Sequence, residues 1–174
     1  MSSSIFKIYK FGIAIFLLYL PSLPAIAQNF SSAPSLRRLT RDSGYIFAGK
    51  VSAIRRETAG PTSEVATVRI TFKVEQGIRG VRTGQLLVIH EWGGLWEQGE
   101  RYRPGERVLL FLYRPSKLGL TSPVAGALGR FAVDNKGQVN LDHFASVSSE
   151  VLLRGKTRVS SRDFARTIRR MVEE

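Results

Sequence analysis

The chain has no cysteine among its 174 residues. A disulfide, a lipid-modified thiol and a thiolate metal site are therefore excluded, and the fold must stand on its apolar core. Histidine is nearly as scarce, with two residues, His90 and His143. The pair His90-Glu91 begins like the H-E-x-x-H signature of zinc proteases, but Gly94 stands where the second histidine would be needed, and the surrounding run reads as strand. No G-x-S-x-G elbow surrounds Ser116 or Ser122, so a triad from Ser122, His90 and Asp134 has no local support. Acid is also short: 14 Asp and Glu face 26 Lys and Arg, a formal charge of +12. No internal repeat is evident. These absences lead to the expectation of no catalytic residue, no metal site and no cofactor.

The first residues change the later counts. Lys7 and Lys10 precede an apolar run from Phe11 to Leu20, followed by Pro21, Pro24 and the small-residue site Ala25-Ile26-Ala27. This is the pattern of a cleavable secretory signal peptide, residues 1–27, cut after Ala27. The apolar core is too short for a spanning helix, which needs roughly 20 apolar residues, so no transmembrane segment is expected in the mature chain. Removing Lys7 and Lys10 leaves 24 basic residues against 14 acidic ones, a charge of +10. In a periplasmic or secreted protein such a surface favours anionic partners, an anionic glycan or a protein, with nucleic acid the least expected.

Beyond a polar lead-in, residues 28–34, the patterning is mainly β. Ser35 caps a short helix, Leu36 to Asp42, closed by Gly44. Tyr45 to Ile54 is a strand that Gly49 interrupts, the mark of a bulge. Arg55 to Glu64 reads as a polar connection. From Ala66 to Glu75 the apolar residues Val68, Ile70, Phe72 and Val74 alternate with polar ones, a half-buried strand. Leu86 to Trp92 is another. Val108 to Leu112 is continuously apolar between Pro104-Gly105 and Arg114-Pro115, which predicts a strand buried on both faces. Asp134 to Gly137 is a hairpin turn between Arg130–Val133 and Gln138–Leu141. The tail, residues 146–174, ends in an amphipathic helix from Ser161 to Val172, with Ser160 and Asp163 at capping-box spacing. Its apolar stripe is Phe164, Ile168 and Met171 or Val172, and Arg162, Arg166, Arg169 and Arg170 make the basic face. The fold class expected is a small, partly open Greek-key β-barrel of the OB type over residues 35–145, with a short helix before it and a helix after it; a β-sandwich is the alternative.

The order of Tyr45–Val51, Thr71–Gln76 with Ile78-Arg79-Gly80, Tyr102–Leu112 and Gly126–Val133 resembles the netrin-like module. That is the OB-type barrel of tissue inhibitors of metalloproteinases and of bacterial exported proteins of unknown role. The resemblance spans Gly44 to Val133 and implies the barrel. The inhibitors chelate the protease zinc through an N-terminal cysteine, and here the expected mature terminus is Gln28, so the chelating activity does not carry over with the shape.

The residues themselves single out the loop after Leu86–Trp92. Trp92, Trp96, Arg101, Tyr102 and Arg103 lie among glycines, and aromatics beside arginine suit stacking on a sugar or anchoring a protein. Plugging the barrel end is their structural alternative. The expected function is a non-enzymatic exported binding module using this loop, with the basic face of the last helix as a second docking surface. A protease inhibitor working without the cysteine chelate is the alternative.

Overall fold

The structure is a computed structural model, described over residues 35–59, 65–97, 99, 101–141 and 156–174. The signal peptide, the lead-in and His143 lie outside the described residues. In chain order the elements are α1 (Leu36–Asp42), β1 (Tyr45–Glu57), β2 (Thr67–Arg79), β3 (Leu86–Trp92), β4 (Arg107–Leu112), β5 (Arg130–Ala132), β6 (Gln138–Asn140), β7 (Arg158–Ser160) and α2 (Ser161–Glu173). Five strands form one antiparallel sheet in the order β3-β2-β1-β4-β5, and β6 pairs with β7. A meander β1-β2-β3 with β4 returning beside β1 is Greek-key order. Among the described residues the fold is mainly β with two α-helices, and the sheet ladders leave β3 and β5 as its edges.

The pattern of side chains explains why this sheet is covered twice. In β2, Val68, Ile70, Phe72 and Val74 are buried while Arg69, Lys73 and Glu75 are exposed, as the two-residue period requires. β4 has no such alternation, because both its faces are occupied. Val108, Leu110 and Leu112 enter one apolar cluster with Phe47, Val51, Ile70 and Phe72. Leu109 and Phe111 enter another with Ile46, Phe131, Phe164 and Ile168. The second cluster is where Leu36 and Leu39 of α1 meet α2.

β1 serves both halves: Tyr45–Lys50 pairs with β4, while the whole strand runs along β2. It shifts register three times, one shift falling between Ala48 and Gly49. A Cβ at Gly49 would lie 2.8 Å from the Lys73 carbonyl oxygen, so the bulge closes only on glycine.

Several boundaries differ from the sequence reading, each for a local reason. β1 and β2 run on to Glu57 and Arg79, because the ladder Arg55↔Arg69, Arg56↔Val68 and Glu57↔Thr67 outlasts the apolar pattern. Ser43, not Gly44, closes α1: its hydroxyl donates to the Leu39 carbonyl at 2.6 Å. Arg79 adds a cation there, donating to the Thr40 carbonyl at 2.6 Å. The Asp134 turn forms, with Gly137 at φ 72° and Asp134 Oδ1 accepting from the Lys136 and Gln138 amides. Its second arm, however, joins the first by a single bridge, Val133↔Val139, and takes its ladder from β7. α2 begins as expected, with Ser160 Oγ accepting from the Asp163 amide at 3.1 Å.

Candidate functional site

The loop that follows β3 is tied down by one carboxylate. The alternation of β3 points Leu87, Ile89 and Glu91 inward and Leu86, Val88, His90 and Trp92 outward. Glu91 is fully buried, at 0% exposure. It accepts from the Trp96 indole Nε1 at 3.0 Å and the Tyr102 hydroxyl at 3.2 Å. Arg101 Nε lies 3.1 Å from Glu91 Oε2, a coulombic contact and not an aligned hydrogen bond. Burial raises the Glu91 carboxyl above its ordinary value, against the opposing pull of Arg101, Trp96, Tyr102 and Arg130. Burial, with Glu91 beside it, likewise pushes the Tyr102 phenol up.

Arg130, from β5, closes the network from the other side. Its guanidinium lies 4.8 Å from the Tyr102 ring centre and donates to the Arg101 carbonyl and to Glu106. Glu106 also accepts from the Arg103 amide at 3.0 Å. The Tyr102 ring packs edge-on against Phe72 at 5.6 Å and beside Trp96 at 5.9 Å.

This geometry corrects the sequence expectation for three of the loop's residues. Trp96 and Tyr102 are 2% and 1% exposed and plug the end of the sheet, so neither offers a ring to a ligand. Arg101 is committed to Glu91. Trp92, 52% exposed, and Arg103 remain on the surface. In the sequence Glu91 stands out only as part of an H-E-x-x-H pattern that fails, and Arg130 is not singled out. The signal for Glu91 was there, an acid at an inward position of an alternating strand. His90 and Glu91 point to opposite faces, and His90 instead faces Glu57 at 3.9 Å.

The second candidate region gains definition. Between α2 and the sheet lies a cleft of about 530 Å³ lined by Arg162, Arg166 and Arg169, by Arg107 of β4 and by the bulge at Gly49. Among the described residues Glu75 is the one carboxylate on that lining. Glu75 holds Arg107 at 3.1 Å, Asp163 holds Arg166 at 3.0 Å, and Arg169 donates to the Gly77 carbonyl at 2.9 Å. Arg162 has no acid beside it among the described residues. Arg170 is exposed but lies off the cleft, so the basic face of α2 divides.

Fold and site together define a small mainly β protein with a plugged sheet end and a cationic cleft beside its last helix. Comparison with protein-family models, curated proteins and solved structures finds no match to this chain. Among the described residues no helix is long and apolar enough to cross a membrane.

Proposed function

We propose that the chain is an exported, non-enzymatic binding module, netrin-like in kind, whose partner is an anionic glycan or an acidic protein surface held in the cleft beside α2. One observation carries this reading: four guanidinium groups from two elements line a single cleft whose lining, among the described residues, holds one carboxylate. Guanidinium forks suit the carboxylate and sulfate groups of such partners, and their planar donors are pre-organised. The helix places Arg162, Arg166 and Arg169 at i, i+4 and i+7, one flank of α2, so a single extended anion can touch all three. Trp92 and Arg103, on the surface at the end of β3 and in the loop beyond it, lie outside the lining of this cleft.

The test is binding of the exported chain to an array of sulfated, uronate-bearing and neutral glycans, with polyglutamate as the acidic-protein probe. Acidic ligands should be retained and neutral ones not. Arg162→Gln with Arg166→Gln should weaken retention about tenfold or more, at roughly 1 kcal/mol or more per charge-assisted contact. Equal retention of neutral glycans would overturn the reading.

A further inference from the structure

The outer face of β1, β2 and β3 carries an arrangement that folding alone does not favour. The registers align outward residues in rows across three strands: Lys50, Lys73 and Leu86; Ala53, Thr71 and Val88; Arg55, Arg69 and His90; Glu57, Thr67 and Trp92. Two of these rows set like charges directly opposite one another, Lys50 against Lys73 and Arg55 against Arg69. Such cross-strand pairs destabilise a sheet. Glu57 relieves one of them by holding Arg69 at 2.8 Å. Lys50, Lys73 and Arg55 have no acidic partner among the described residues.

Beside these cations the edge strand exposes an apolar row. Leu86 is 68% exposed, Val88 48% and Trp92 52%, on one side of β3 with His90 between Val88 and Trp92. Elsewhere the sheet buries residues of this kind: Ile46 and Ala48 of β1 and Leu109 and Phe111 of β4 lie under the helices. The uncovered part begins where that cover ends, because Lys50 pairs in register with Arg107, which lines the cleft. Cation rows and apolar row thus form one surface, continuous with the arginines of α2.

We propose that this face docks on an anionic phospholipid bilayer. Leu86, Val88 and Trp92 would enter the boundary between headgroups and acyl chains, and Lys50, Lys73 and Arg55 would meet lipid phosphates. The combination is what separates the occupants. A soluble polyanion uses the cations and has no use for an exposed leucine and valine, whereas peripheral membrane binding needs an apolar contact and a basic patch together. Tryptophan at the rim fits the interfacial zone, where its ring is buried and its N–H stays wet. A second copy of the chain would bring the same unpaired cations against this face and be repelled.

The experiment is co-sedimentation of the exported, leader-processed chain with vesicles of phosphatidylcholine alone and of phosphatidylcholine mixed with phosphatidylglycerol. Binding should require the anionic lipid. Arg55→Gln with Lys73→Gln should weaken it about thirtyfold, at the usual contribution of a cation near an anionic surface. Leu86→Ser with Val88→Ser should weaken it at least as much without changing the salt dependence. Trp96 is already in the core, so vesicle binding should blue-shift the emission of Trp92. Circular dichroism checks that each variant is folded. The proposal is overturned by equal binding to phosphatidylcholine alone, by a folded Arg55→Gln/Lys73→Gln chain that binds as the wild type does, or by an unshifted Trp92. It also falls if Leu86→Ser/Val88→Ser leaves vesicle binding intact and a sulfated polysaccharide displaces the vesicles, the outcome of a polyanion site.

Discussion

Replacing Glu91 tests how the end of the sheet is held. Glu91→Ala removes the acceptor of two hydrogen bonds and the counter-charge of Arg101. The indole N–H, the phenol and a half-buried guanidinium would be left facing one another. Removing one member of a buried charge pair costs about 3–5 kcal/mol, and the three losses overlap because they share one carboxylate. A total of about 4 kcal/mol is expected. Glu91→Gln keeps the volume and one acceptor but turns an amide NH₂ toward a donor, which costs about 1.5–3 kcal/mol. Urea denaturation followed by tryptophan fluorescence, with the m-value held in check, measures both. A double-mutant cycle of Glu91→Gln with Tyr102→Phe should show a coupling of at least about 0.5 kcal/mol. The pH dependence adds a signed test. Burial lifts the folded-state carboxyl above its ordinary 4.5, so the folded chain takes up a proton before the unfolded chain does. The stability linked to that proton is fully present below 4.5 and is lost as pH rises through the raised value. The wild type should therefore gain on Glu91→Gln as pH is lowered through that window. A loss in that window would mean that Arg101 outweighs burial, and a Glu91→Ala cost under about 1 kcal/mol would refute the tether itself.

Three further outcomes follow from the packing. Leu110→Ala, in the strand covered on both faces, should lower stability by about 2–5 kcal/mol in the same urea assay. Arg55→Thr should do the opposite and raise it by about 0.2–1 kcal/mol by removing a like-charge pair, read as a higher thermal midpoint. Ser160→Ala should cost about 1 kcal/mol, since its hydroxyl caps α2 through the Asp163 amide.

The parts of the fold visible in the sequence are those with a period. The alternation of Val68 to Val74 and the unbroken run Val108 to Leu112 gave their strands and their burial, and Ser35 and Ser160 gave both helix starts. The ends of β1 and β2 were hidden because backbone pairing continues where side chains no longer alternate in polarity. The β6–β7 pair was hidden because three-residue strands carry no periodic signal. For the site, composition placed aromatics and arginines in one loop but could not say that Glu91 turns two of those aromatics inward. The cleft was half legible: α2 showed its arginines, while Arg107 and Gly49 join them only through the register of β1 with β4.

The proposed anionic partner sits against α2 and the sheet and not on the loop after β3. Hydrogen–deuterium exchange with and without a sulfated oligosaccharide tests it most directly. Exchange should slow in Ser161–Arg169 and around Gly49 and Arg107, with Gly93–Gly105 unchanged. Protection confined to Gly93–Gly105, with α2 exchanging as before, would contradict it.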